Sequence, residues 1–509
     1  MRGSNAVRKV ESCDVFGDAR MKLEDLIAEL SGGTSSELTA EGLEGLVEGK
    51  GREVLRSLLA AAVELRSLKE QRRTSVTGDD GVVRNHVRPL SRTLTTQFGD
   101  IDVSRLAYRQ RDVDSRMPLD AELSLPADLY SYRVRRRIAE FASEGSFEKA
   151  GRTFSTTTGV RIPHRQVEEL AARGAKDFEA FYATREVVPI ATTDLLVMQF
   201  DAKGVIMRKD ALREETKKKA EKRRPRLDKR RSKGEHANLR RMAQLAVVFD
   251  QAPFVRSPYD VVYELHKTGP KPVTTKRPRA QNKCVRASVE HDSVEVIVNG
   301  FQEAARRDPE RRRRWIVLVD GNLDQLDTIE RTAKQMDVDI TIVVDVIHVL
   351  EYLWKAGLCF EKEGSKELEE WVEVRFLKIL QGNASDVAAG LGISATKREL
   401  EDRAAADKCA EYLLKYKRYL RYDEALRDGL PIATGVVEGA CRSLVRDRME
   451  IAGARWGLKG AEAILKLRSL RMSGDFDAYW EFHMAEEHKR LHVDTYAANK
   501  SHPALRLVK

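Results

Sequence analysis

The 509-residue chain has few cysteines and pairs none of them at metal-binding spacing. Cys13, Cys284, Cys359, Cys409 and Cys441 are odd in number and scattered, with no C-x-x-C. That argues against a disulfide framework and a zinc knuckle, and fits reduced thiols in a cytoplasmic protein. No apolar run approaches the roughly 20 residues needed to cross a bilayer. The opening Met1-Arg2-Gly3-Ser4 lacks the apolar stretch of a signal peptide. A Gly-rich phosphate loop is missing too, so nothing points to a nucleoside triphosphate. These absences lead us to expect a soluble cytoplasmic protein with no membrane partner.

What is present is enough apolar sequence, 42% of the residues, for more than one core. A length of this order fits roughly two to four domains. Lys and Arg number 90 against 80 Asp and Glu, for a net charge of +10. A basic surface favours a polyanion, although a charge excess alone is as often a solvated face.

Residues 1–75 read as a helical region, in which Leu55, Leu58, Leu59, Ala62, Leu65 and Leu68 recur at three- and four-residue spacing. Such a stripe serves either an intramolecular contact or a dimer. Thr77-Gly78-Asp79-Asp80-Gly81 breaks the helix. Residues 76–190 then read as a hairpin from Thr93 to Tyr108, turning at Phe98-Gly99-Asp100, followed by three short helices. Gly145 ends the first, Ser146 caps the second, Gly159 ends that one, and Pro163 opens the third. Their order resembles a helix-turn-helix DNA-binding domain, with Arg133, Arg135, Arg136, Arg137, Arg161 and Arg165 as the expected exposed cations. Packing without DNA is the alternative.

From 191 to 353 strands alternate with helices. Leu195 to Phe200 reads as a strand ending at Asp201, and Met242 to Phe249 as a second. Between them, 208–241 is a basic arm containing Lys217, Lys218, Lys219, Arg223, Arg224, Arg230 and Arg231. It holds too few apolar residues to bury a core, and is expected to be a flexible arm or extended hairpin. A helix around Val294–Ala305 precedes two apolar strands, ending at Asp320 and Asp345, that a helix connects as a βαβ unit. Residues 354–430 read as helices only, and 431–509 complete the core.

Three strands ending in Asp201, Asp320 and Asp345 would gather acids in the crevice at the carboxyl edge of an α/β sheet. Clustered carboxylates repel one another unless cations neutralise them. Their hard oxygens suit two Mg2+ or Mn2+ ions, which can clamp the attacking and leaving oxygens of phosphoryl transfer. A third acid is expected on a later helix, and Glu438 fits. Arg442 and Arg446 share its helix face and are placed to hold phosphates. A surface pair between Glu438 and Arg442 is the bland alternative.

Four blocks carry a family resemblance. Phe200-Asp201-Ala202-Lys203-Gly204, Val319-Asp320-Gly321-Asn322, Asp345 through Trp354, and Gly435-Val436-Val437-Glu438-Gly439-Ala440-Cys441-Arg442 together resemble the ISKra family of bacterial insertion-sequence transposases, akin to Mutator-like DDE transposases. The likeness continues through Gly453–Leu458 and Gly474–Trp480 and covers most of the chain from Arg92 onward.

The resemblance implies an α/β, ribonuclease H-like core with a helical insertion, preceded by a mainly helical DNA-binding region. It implies a catalytic, metal-holding triad of Asp201, Asp320 and Glu438, with Asp345, His348 and Lys203 in support and Arg455 among the DNA-contacting cations. Asp345 is the alternative to Asp320. The implied activity is metal-dependent strand cleavage and strand transfer at the inverted repeats of the element itself, by a homo-oligomer on DNA. Two other readings stay open: a ribonuclease H-like nuclease or resolvase, and a non-catalytic DNA-binding regulator derived from a transposase.

Overall fold

The computed structural model describes residues 14–33, 35–187, 193–221, 239–266 and 277–496. Its contacts group into two units. Residues up to Phe181 and those from Asp477 onward form the first, and Tyr182–Phe476 the second. This division runs through the 431–509 segment that the sequence assigns to one domain. Among the described residues no helix is long and apolar enough to cross a membrane.

In the first unit α1 (Gly17–Ser31) packs against α2 (Ala40–Leu68), whose start is capped by the Thr39 side chain. Val54, Ser57 and Ala61 form the buried stripe of α2, while Leu55, Leu58 and Ala62 are exposed. The leucine stripe is therefore split between solvent and packing. Leu59 and Val63 instead lean on a cluster of Leu94, Ile101, Val103 and Leu125. Strands β1 (His86–Thr96), β2 (Gly99–Gln110) and β3 (Val113–Arg116) form an antiparallel sheet. The hairpin pairs Thr96 with Gly99, so its turn is Gln97-Phe98, one residue earlier than expected. The Thr96 hydroxyl fixes it, donating to the Gly99 carbonyl at 2.8 Å.

Helices α3 (Tyr132–Glu144), α4 (Phe147–Thr158) and α5 (His164–Gly174) follow the expected punctuation. Ser146 accepts from the Lys149 N–H, Gly159 closes α4 with a left-handed φ of 72°, and Pro163 precedes α5. Val134, Ile138, Phe154, Val167 and Leu170 make the core. Of the expected exposed cations, Arg135 is buried and paired with Asp128 at 2.7 Å and Glu487 at 3.4 Å. Arg136 and Arg137 are half-buried, and Arg133, Arg161 and Arg165 are exposed.

The C-terminal segment belongs here. Tyr479 donates to the Gly174 carbonyl at 2.8 Å, and Asp177 is held by His483 at 2.6 Å and by both guanidinium nitrogens of Arg490.

His492 makes this unit sensitive to acid. It is buried, with Nε2 2.8 Å from the Leu125 carbonyl, and burial pushes its pKa down to about 4. Unfolded histidine titrates near 6.5 and binds the proton first, so stability is full above that pH and falls as pH drops toward 4. The loss is about 1.4 kcal/mol per pH unit, at most about 3 kcal/mol. We expect His492→Gln to flatten the unfolding midpoint between pH 7 and 5. An unchanged slope in urea denaturation would assign the acid sensitivity elsewhere.

The second unit is built on a mixed sheet of β4 (Leu195–Ile206), β5 (Arg240–Gln251), β6 (Gln281–Ser288), β7 (Trp315–Val319) and β8 (Ile340–Val344), in the spatial order β8-β7-β4-β5-β6. Strands β4, β5 and β6 are antiparallel neighbours, whereas β4, β7 and β8 run parallel.

The expected end of β4 at Asp201 needs correction. The strand continues to Ile206 because β5 pairs with it throughout, Asp201 opposite Leu245. Within the expected arm, α6 (Glu214–Glu221) carries Lys217, Lys218 and Lys219, and Arg240 and Arg241 open β5. Arg223, Arg224, Arg230 and Arg231 lie outside the described residues.

Helix α7 (Ser293–Arg307) starts with a capping box of Asp292 and Glu295 and approaches the sheet closely. A Cβ on its Gly300 would meet the Phe200 ring at 2.7 Å. Helix α8 (Leu323–Gln335) links β7 to β8. After β8 the chain is helical: α9 (Val346–Gly357), α10 (Lys366–Leu380), α11 (Ala384–Lys397), α12 (Ala404–Tyr416) and α13 (Tyr422–Arg427). Next come α14 (Gly435–Ala440), a π-helical stretch Cys441–Arg446, and α15 (Leu458–Ser473), which packs on β6.

Candidate active site

The parallel strands can be read straight across. Gln199 pairs with Leu318, and Leu318 with Val343. Two residues further along each strand stand Asp201, Asp320 and Asp345, so the three acids occupy one row over adjacent strands. Side chains alternate along a strand, so Gln199, Asp201 and Lys203 share one face. Phe200, of opposite parity, faces α7.

Helix α14 is tied to the Gln199 side. The buried Gln199 side chain accepts from the Val437 N–H at 2.8 Å and reaches the Ala433 carbonyl at 3.4 Å. One turn on, Cys441 Sγ donates to Asp201 Oδ2 at 2.9 Å, while the Ala202 N–H takes Oδ1 at 2.6 Å. Burial, with Asp201 next to it, pushes the Cys441 thiol well up, so it remains a protonated donor. In sequence only one of five scattered thiols, Cys441 orients the Asp201 carboxylate. The switch from α to π winding falls at this cysteine. Such bulges recur where a helix must re-aim side chains.

Each residue of Asp320-Gly321-Asn322 has a separate task. Asp320 is half-buried, its Oδ1 accepting from the Asn322 N–H at 3.1 Å. Gly321 sits at φ 96°, where only glycine is unstrained, and Asn322 caps α8 by accepting from the Asp324 and Gln325 N–H groups.

Asp345 is enclosed. It is fully buried, it caps α9 by accepting from the Ile347 N–H at 2.9 Å, and its Oδ2 meets the Thr434 hydroxyl. That hydroxyl also lies 3.0 Å from Glu438 Oε1. One hydroxyl proton cannot serve two carboxylates, whereas a proton retained on Asp345 satisfies both contacts. Burial raises the Asp345 pKa and the Glu438 charge adds to it, against the Thr434 and Ile347 hydrogen bonds and the nearby, half-buried His348.

Glu438 itself is exposed, on a helix face with Gly435, Gly439 and Arg442. A Cβ on either glycine would meet nothing within 4 Å. Arg446 is exposed with Glu450 4.0 Å away, and Arg455 is exposed beside the buried Trp456. The Trp456 backbone pairs with the end of β4, accepting from the Arg208 N–H at 2.8 Å and donating to the Ile206 carbonyl at 3.1 Å. The block Gly453–Leu458 thereby lies alongside the end of the strand that carries Asp201.

The three expected ligands offer only carboxylate oxygen, a donor set suited to hard divalent ions. Among the described residues, the oxygens of Asp201, Asp320 and Glu438 do not all gather within 4.8 Å of one another. A two-ion site asks for less, since its outer ligands are separated by an ion spacing of about 4 Å plus a bond at each end. The chain matches no family model and no curated protein sequence.

Proposed function

We propose that this chain is a DDE-type DNA transposase, cutting and joining strands at the ends of its own insertion sequence. The observation that carries the reading is the row of Asp201, Asp320 and Asp345 across three parallel strands, with the Glu438 helix fastened to the same face by Gln199 and Cys441. A central strand with an antiparallel pair on one side and a parallel pair on the other supports a ribonuclease H-like core. The helical segment between β8 and the Glu438 helix is the insertion that such a transposase is expected to carry.

Asp201, Asp320 and Glu438 would hold two Mg2+ or Mn2+ ions, which when bound supply Lewis acidity at the attacking and leaving oxygens. Cys441 and the Ala202 N–H hold the Asp201 carboxylate, and Thr434 holds that of Glu438. Gly435 and Gly439 leave the helix face open for a DNA backbone, with Arg442, Arg446 and Arg455 able to take its phosphates. In the first unit, Arg133, Arg136, Arg137 and Arg165 on the three-helix segment are proposed to contact the element ends, as oligomers paired on DNA in the cytoplasm.

The test uses duplexes carrying the DNA that flanks the reading frame. We expect Mg2+-dependent nicking at the element boundary that leaves a 3′-hydroxyl and stops with chelator. No cleavage, or equal cleavage of unrelated duplexes, would overturn the reading.

Glycine within a helix costs roughly 0.5–1 kcal/mol relative to alanine. Gly439→Ala is therefore expected to raise stability by that amount, since the added Cβ meets nothing. Gly439→Leu should keep the melting temperature and lower cleavage about tenfold or more by displacing the DNA. Unimpaired cleavage by the leucine variant would place the DNA elsewhere.

Lys217, Lys218 and Lys219 on α6 carry charge without interleaved aromatics, which suits phosphate contacts rather than base reading. Changing all three to Gln should weaken binding to every duplex similarly and reduce the salt-dependence slope by about 0.9 per lost contact. An unchanged slope would mark α6 as a solvated helix.

A further inference from the structure

The ends of β7 and β8 pose a problem in backbone chemistry. Beyond Val319 and Val344 the ladder stops, and the main-chain carbonyls at these ends need other donors. The donors come from the helical insertion. Tyr416 on α12 donates its hydroxyl to the Gly321 carbonyl, and Tyr422, at the start of α13, donates to the Val344 carbonyl at 2.8 Å. Tyr412 reaches to 3.5 Å from the Asp320 carbonyl. All three rings are buried. Two of them pack ring on ring: Tyr412 stacks on Tyr352 of α9 with centroids 4.1 Å apart, and lies 4.7 Å from Tyr416. Gly321 gives Tyr412 and Tyr416 room, since a Cβ there would lie a tight 3.2 Å from the Tyr412 hydroxyl and 3.5 Å from the Tyr416 ring.

We infer that the insertion is a positioning device, in which Tyr416 and Tyr422 hold the strand-end carbonyls next to Asp320 and Asp345 and so set the Asp320 carboxylate against Asp201. The inference rests on the metal-site reading given above and assigns a task to the insertion within it. These tyrosines touch neither DNA nor the reacting atoms. They act through the main chain of Gly321 and Val344. Tyr419 makes a useful contrast, since its hydroxyl donates to the Glu330 side chain rather than to a strand end.

The experiment compares the full-length wild type with Tyr416→Phe, Tyr422→Phe and Tyr419→Phe, each of which removes one oxygen. Mn2+ binding is followed by calorimetry and folding by thermal melting. We expect Tyr416→Phe to weaken Mn2+ binding by about five- to tenfold, the value of one hydrogen bond. Tyr422→Phe should give a smaller loss and Tyr419→Phe none, with melting temperatures close to wild type. In cleavage assays the half-saturating metal concentration should rise by the same factor, and excess metal should restore the rate. Unaltered Mn2+ affinity in Tyr416→Phe and Tyr422→Phe, whatever their melting temperatures, would overturn the positioning role. Equal Mn2+ binding by wild type and Asp201→Asn would instead remove the metal site itself. That result is visible without any tyrosine variant.

Discussion

In Asp201→Asn, strand cleavage is expected to fall by about 10³-fold or more, roughly 4 kcal/mol of transition-state stabilisation, while binding to an element end stays near wild type. Asp201 stands at one end of the row of acids, on the middle strand of the sheet, flanked by β7 on one side and β5 on the other. An amide keeps its volume and supplies one neutral oxygen in place of two charged ones. Of the two present donors, the Ala202 N–H keeps an acceptor in the amide oxygen, and the Cys441 contact can reverse, the amide NH2 donating to Sγ. The large effect would come from charge. On the proposed reading Asp201 would be one of three carboxylates holding the ions, and its loss would remove a full ligand charge from the site. Gel-shift affinity and single-turnover cleavage on the same duplex separate the two consequences. Cleavage within tenfold of wild type would remove Asp201 from the chemistry and, with it, the central claim about this sheet.

The parts of this fold that read directly from sequence are those decided by local physics. The caps at Ser146 and Gly159, the apolar strands before Asp320 and Asp345, and the run of helices after Trp354 all follow from composition over a few residues. β4 past Asp201 was hidden because Asp201-Ala202-Lys203-Gly204 interrupts its apolar run, and only pairing with β5 carries it onward. β6 was missed for a similar reason: its first residues, Gln281, Asn282 and Lys283, are exposed and polar. The site itself was legible in its acids and illegible in their supports. Thr434 meets Asp345, Cys441 meets Asp201, and Tyr416 meets Gly321 across separations that no local pattern records. Arg135 reads in sequence like the other arginines of α3, yet its partner Glu487 lies 352 residues away.

Under the proposed metal-site reading, those supports favour Asp320 over Asp345 as the ligand, the two being alternatives in the sequence alone. Asp345 is fully buried, with Oδ1 taken by the Ile347 N–H and Oδ2 by Thr434. The shared Thr434 proton argues that it is a neutral acid supporting Glu438. Asp320 is half-buried with one main-chain N–H on Oδ1, which leaves lone pairs for a cation. Neutral isosteres should therefore diverge. Asp345→Asn can still donate to Thr434 through its amide and is expected to retain cleavage within about tenfold, the value of one perturbed hydrogen bond. Asp320→Asn loses a ligand charge and should fall by about 10²–10³-fold or more. Cysteine gives an independent check, because Mn2+ accepts a thiolate more readily than Mg2+ does. Asp320→Cys should be inactive in Mg2+ and regain measurable cleavage in Mn2+, and Asp345→Cys should show no such metal-specific recovery. Recovery confined to Asp345→Cys, together with a mild Asp320→Asn, would exchange the two roles: Asp345 would be the ligand and Asp320 the residue that merely ends its strand.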